Sequence, residues 1–211
     1  MRRLLLIALA IATTTGLFAQ DFNTYFNDAT LRIDYTFSGN ANEQYVALRE
    51  LASTDGWYGR RVNLDEVPLA GNGDLTLYDA TTNEVIFKTS FSSLFQEWIT
   101  TPEAATVTKS FEFTLLVPMP QRAAYAEIVL RSNTGEEGAK MRHLIDPNDV
   151  LIRDRSHVEP LPYVTLHYGG NSTECIDVVI LAEGYTEAEM DTFMKDARTA
   201  CDEIFAYEPF A

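Results

Sequence analysis

The sequence predicts a mostly β chain: an antiparallel β-sandwich N-terminal domain followed by the first βα unit of an incomplete α/β domain. Three observations carry this. Period-two alternation of apolar and polar residues recurs in short runs through the first two thirds of the chain. Turn-forming residues punctuate those runs. Near the C-terminus the pattern changes to an unbroken apolar run and then to a helical stripe.

The clearest alternation begins at Thr30. Leu31, Ile33, Tyr35 and Phe37 share one face, and Thr30, Arg32, Asp34 and Thr36 take the other. A half-buried antiparallel strand has this pattern, because successive side chains point to opposite sides of the sheet. Similar runs occupy 74–78, 84–87, 109–116 and 124–130. Gly71-Asn72-Gly73, Thr82-Asn83, Pro118 with Pro120, and Asn133-Thr134-Gly135 supply turn signals between them, and 79–83 reads as a hairpin turn. Several short strands with little helix point to a sandwich, and about 130 residues suffice for one core.

The second unit starts at Cys175. Residues 176–181 form an apolar, β-branched run of the kind buried on both faces of a parallel sheet. Thr186 then opens a helix, with Glu189 three residues on as the other half of a capping box. Met190, Phe193, Met194, Ala197, Cys201, Ile204 and Phe205 follow at three-and-four spacing. Such a strand needs parallel neighbours and such a helix needs a sheet to cover. The expected organisation is therefore a signal peptide at 1–19, a β-sandwich at 20–153, a linker at 154–174 rich in Pro and Gly, and an unfinished α/β domain at 175–211.

Arg2 and Arg3, the apolar residues 4–12 and the Leu17-Phe18-Ala19 site have the layout of a cleaved secretory signal. The apolar stretch is shorter than the ~20 residues a membrane span requires. No cysteine follows Ala19 to carry a lipid. The expected destination is the periplasm, the outer surface or the medium. With 16 basic and 31 acidic residues the formal net charge is −15, which excludes nucleic acid and anionic lipid as partners. Cys175 and Cys201 fall at one end of the βα unit, and two states stay open for them: a disulfide, or two thiols acting as small apolar residues.

Catalytic motifs are missing. His143, His157 and His167 include no pair three or four residues apart, and there is no H-E-x-x-H, no G-x-S-x-G and no glycine-rich phosphate loop. No catalytic, cofactor-binding or metal residue is assigned within the chain. Asp146-Pro147-Asn148-Asp149 reads as a turn and lacks the spacing of a calcium loop. Asn171-Ser172-Thr173 fits a glycosylation acceptor and receives no role. Phe91, Phe95 and Trp98 form the densest aromatic segment, with two readings: a plug for the open end of the sandwich, which we favour, or a contact surface. Glu183, Gly184 and Tyr185 follow the carboxyl end of the presumed parallel strand, where open α/β sheets place their clefts; the other reading is a plain turn using glycine.

Two blocks resemble a known family. Asp177-Val178-Val179-Ile180-Leu181-Ala182-Glu183-Gly184-Tyr185-Thr186, continuing through Met190, Phe193 and Asp196 to Phe205 and Glu208-Pro209-Phe210, is similar to the opening of the catalytic domain of bacterial IgA-peptidase-type zinc metallopeptidases, metallopeptidase family sixty-four. Upstream, Thr30-Leu31-Arg32-Ile33-Asp34-Tyr35, residues 91–101, Val117-Pro118-Met119-Pro120 and Ile145-Asp146-Pro147 resemble that family's accessory N-terminal domain. The resemblance implies a secreted parent in which two helix-borne histidines and a third ligand hold zinc and the glutamate of H-E-x-x-H activates water. None of those residues occurs here, so zinc is expected only in a full-length parent and this chain alone is expected to be inactive. The family usually has Asp where this chain has Glu183. The implied partners are the remainder of its own catalytic domain and a protein or peptide substrate. The rival reading is a non-enzymatic exported β-sandwich binding module.

Overall fold

The computed structural model describes residues 21–210 apart from 68, 133, 160, 172 and 173; the signal peptide, Asn133 of the fourth turn signal and Ser172-Thr173 of the acceptor motif lie outside the described residues. A one-turn helix α1 (Phe22–Tyr25) leads into β1 (Phe26–Gly39) and β2 (Gln44–Asp55). Then come β3 (Gly73–Asp79), β4 (Val85–Phe91), the short helix α2 (Leu94–Trp98) and a 3₁₀ turn at Pro102–Ala105. β5 (Lys109–Pro120), β6 (Ala124–Arg131), β7 (Glu137–Ile145) and β8 (Arg153–Asp154) complete the strands. A 3₁₀ turn at Glu187–Glu189 runs into α3 (Met190–Phe205).

The strands form two four-stranded sheets, ordered β5-β1-β2-β8 and β4-β3-β6-β7. Every pairing is antiparallel except β2 with β8. The predicted β-sandwich is thus observed. Leu31, Ile33, Tyr35 and Phe37 of β1 and Leu75 and Leu77 of β3 are fully buried, as are Ala126, Ile128 and Leu130 of β6. The period-two pattern placed each of them on the inner face, where burial is worth roughly 1.5–3 kcal/mol per large side chain. Between Asp34 and Tyr35 the β1–β2 register slips from Glu50 to Leu48, so Arg49 is the extra residue of a bulge.

The hairpin at 79–83 forms as expected. The Asp79 carboxylate accepts from the backbone N–H of Thr81 at 2.8 Å and of Thr82 at 3.0 Å. Asn83 takes φ 58°, the left-handed conformation that Asn tolerates. These amides, Thr82 first, hold Asp79 below the usual carboxylate range. At the other end of the hairpin Gly73 pairs with Phe91, whose ring lies so close that a Cβ on Gly73 would fall 2.4 Å from ring carbons.

Two expectations are corrected, and two strands appear that the sequence reading did not name. Pro118 and Pro120 do not end the strand: β5 runs through both, which is permitted because it is an edge strand and needs no second ladder there. β2 and β7, which carry no strong alternation of large apolar residues, are strands because neighbours on the sheet supply their ladders. Residues 176–181 form no strand. Ile176, Val178, Val179 and Leu181 are 73–93% exposed, since no described segment offers the parallel partner that such a run requires.

Between the sandwich and α3, Arg155 N–H donates to Ser53 O at 2.8 Å, and the Ser156 hydroxyl to Asp55 at 3.2 Å. Glu50 draws in Arg153 and Arg155 at 3.2 and 3.3 Å. The start of the expected linker is therefore stitched to β2.

Candidate functional site

The aromatic segment folds into α2 because Ser93 caps it: its Oγ accepts from the Gln96 N–H at 3.2 Å and donates to Gln96 Oε1 at 2.9 Å. The Gln96 amide then donates to Arg131 O at 2.9 Å and to Asn72 O. One buried glutamine thus fastens α2 to the ends of β3 and β6, giving Arg131 O a donor and adding a second to Asn72 O, which also accepts the Arg131 N–H at 2.9 Å.

With α2 held there, Phe95 is fully buried. Its ring centroid lies 5.8 Å from that of Phe111 and 6.4 Å from that of Phe37. Phe91 packs 4.9 Å from Phe113 and 5.9 Å from Phe37. These rings close the end of the sandwich, so Phe91 and Phe95 are core residues. Trp98 is half-buried, 5.6 Å from Phe111. Its indole N–H donates to Glu103 at 2.8 Å, and Lys109 meets the same carboxylate at 2.6 Å while lying 5.3 Å from the ring centroid. Lys109 and Trp98, in that order, hold Glu103 below its ordinary range.

Beside this plug runs an open groove of about 780 Å³, bounded by α2, Phe111–Phe113 of β5 and the β6–β7 turn. Leu94, 71% exposed, stands on its rim. Arg131 also lines it, but its guanidinium is committed to Asp74 at 2.6 and 2.9 Å. Glu97 is exposed there and forms no ion pair among the described residues. Gln96 and Leu94 were not singled out from the sequence. Ser93-Leu94-Phe95-Gln96 carries the S-x-x-Q spacing of a capping box, and that signal would have found the helix.

Glu183, Gly184 and Tyr185 form an exposed turn ahead of α3, with Gly184 at φ 86°. The Tyr185 hydroxyl donates to Asp196 at 3.0 Å, and its ring packs 5.3 Å from Phe193. This hydrogen bond pushes the phenol's pKa up. The predicted capping box is present: the Glu189 carboxylate accepts from the Thr186 N–H at 2.9 Å and hydroxyl at 2.6 Å. Cys175 and Cys201 are free thiols, the first exposed and the second half-buried.

The three histidines lie in three unrelated settings. His143 Nε2 is 2.7 Å from the Tyr35 hydroxyl, His157 is 3.6 Å from Asp154, and His167 stacks on Phe205 at 3.9 Å. Among the described residues no three His, Cys, Asp or Glu side chains come together to hold a metal. The described side chains therefore do not fit a zinc ion. No helix among the described residues is long and apolar enough to cross a membrane.

The family model described as Peptidase M64 N-terminus matches residues 21–141, more than half the chain, and that described as IgA Peptidase M64 matches residues 164–211. The chain belongs to the M64 peptidase family, a family of metallopeptidases. A comparison with curated proteins finds no match.

Proposed function

We propose that this chain is the N-terminal part of a secreted, zinc-dependent peptidase. The sandwich is its accessory domain, and residues 175–211 open a catalytic domain whose zinc ligands and general base lie in further sequence. One observation carries this reading: in a chain matched by both family models, residues 176–181 have the composition of a buried strand, yet Ile176, Val178, Val179 and Leu181 are 73–93% exposed. An apolar run of that kind is stable in water only when a sheet covers it. The accessory domain would pack on and position the catalytic domain, and the substrate would be a protein or peptide. The layout of residues 1–19 supports export.

The test is to read the source DNA beyond Ala211 and express the longer product. A frame continuing to an H-E-x-x-H helix, with protein hydrolysis that a chelator stops and zinc restores, is the expected result. A stop codon directly after Ala211, with no such helix encoded, would sink the reading. The rival, a non-enzymatic exported binding module, would then take its place, with the groove beside Leu94 and Trp98 as its contact surface.

A further inference from the structure

β5 is the outer strand of its sheet and pairs only with β1. In an antiparallel strand about half of the backbone N–H and C=O groups point away from a single partner, and among the described residues no loop or strand takes those of β5. Pro118 and Pro120 lack an N–H, so the part able to accept a new ladder is 109–117. The other sheet treats its own outer strand differently. There the loop before β3 folds over β4, burying Leu64 completely while its carbonyl takes the Lys88 N–H at 2.7 Å. Of these two outer strands β4 is covered and β5 is open; β7, the other margin of the second sheet, pairs only with β6.

The open edge has a groove along it. A strand laid beside Phe111–Phe113 would place alternate side chains over their half-exposed rings and against Leu94 of α2. At the rim Arg131 is neutralised by Asp74, whereas Glu97 has no ion pair and Glu112, bound to Arg49, keeps 76% of its side chain exposed. The uncompensated charge at this groove is therefore negative, on a chain whose net charge is −15.

We infer that 109–117 of β5 captures an extended peptide by strand addition, one with apolar side chains at alternate positions and basic residues at its ends. Main-chain hydrogen bonds to β5 supply affinity, the groove selects the alternate side chains, and Glu97 favours the cationic ends. This deepens the peptidase reading, because an unfolded segment of a protein substrate has this chemistry, yet it is tested without any hydrolysis.

The experiment titrates the full chain with the blocked heptapeptide Lys-Val-Thr-Phe-Thr-Val-Lys by calorimetry. Two N-methylated forms follow, one blocked at odd residues and one at even, each stripping the donors from one edge of the peptide. Saturable binding is expected, abolished by one N-methylation pattern and kept by the other. Leu94→Asp, on an exposed side chain, should weaken it about tenfold, a single apolar contact's worth, with an unchanged melting temperature. Glu97→Lys should weaken it and flatten its salt dependence. Absence of binding, equal behaviour of the two N-methylated forms, or indifference to Leu94→Asp overturns the proposal. So does a dimer in sedimentation that Leu94→Asp dissolves, which would make a second copy the occupant. If the longer protein hydrolyses protein while this peptide fails to bind, peptide capture is wrong and the peptidase reading stands.

Discussion

The hydroxyl of Tyr35 lies 2.7 Å from Nε2 of His143, and the two side chains come from opposite sheets of the sandwich. Tyr35 is fully buried among core rings, so this is a polar tie set within an apolar interior. Burial pushes the Tyr35 phenol far above its usual range, which keeps it protonated as the donor or acceptor the imidazole requires. Tyr35→Phe retains the ring and removes the tie. It should cost about 1 kcal/mol, the net worth of one such hydrogen bond, read from urea unfolding. No change would show that water replaces the phenol at no cost.

The same pair gives a pH dependence. Burial holds the His143 imidazole below its ordinary range, so the folded chain disfavours the imidazolium. The unfolded chain takes up the proton first as pH falls through about 6.5. The stability tied to this group is therefore complete above that pH and is lost on acidification toward the lower folded value. The difference in melting temperature between wild type and His143→Gln should shrink as pH is lowered from about 7 to 5. A constant difference would show that His143 does not titrate with folding.

Gln96 and Phe95 separate two roles within α2. Phe95→Ala empties the centre of the plug and should cost about 3–5 kcal/mol, with Trp98 fluorescence shifting to the red as its support is lost. Gln96→Leu keeps the volume but leaves the Arg131 carbonyl without this donor and takes one of two donors from Asn72 O. A cost of about 1–3 kcal/mol is expected. Thermal unfolding of both variants measures the two, and a Gln96→Leu protein as stable as wild type would mean that α2 is held by its rings alone.

Hydrogen exchange should divide the chain sharply. Amides of β1 and β6, paired on both sides, should exchange at the global unfolding rate, whereas those of 176–181 should exchange almost at once. Strong protection at 176–181 in this chain would contradict their exposure. Protection gained only in a longer protein would support the peptidase reading.

β1 was legible because each of its inward positions is large and apolar, and each outward one between Thr30 and Thr36 is polar. Contrast is what a period needs in order to be seen. β2 lacks it: Ala47, Leu48, Arg49, Glu50 and Leu51 are good helix formers, and only the ladder offered by β1 makes them a strand. β7 hides its inner face in Ala139, Met141 and His143, which read as neutral until β6 is beside them. Pro118 and Pro120 look like punctuation because a sequence does not say which strands are edges. At the candidate site the rings of Phe91, Phe95 and Trp98 were visible, and the structure buries the first two and leaves the third half-buried. The groove was not visible, because it is made by Phe111 and Phe113, Gly71-Asn72 and the β6–β7 turn, which meet only after folding.

The two-residue strand β8 has a consequence out of proportion to its length. By pairing with Ala52 and Ser53 it occupies one end of the margin opposite β5. The departing chain and the open edge are thus kept three strands' width apart. Tension on the downstream chain falls on Arg153, Arg155 and the Glu50 they share, so the sandwich serves as an anchor on one flank and a berth on the other.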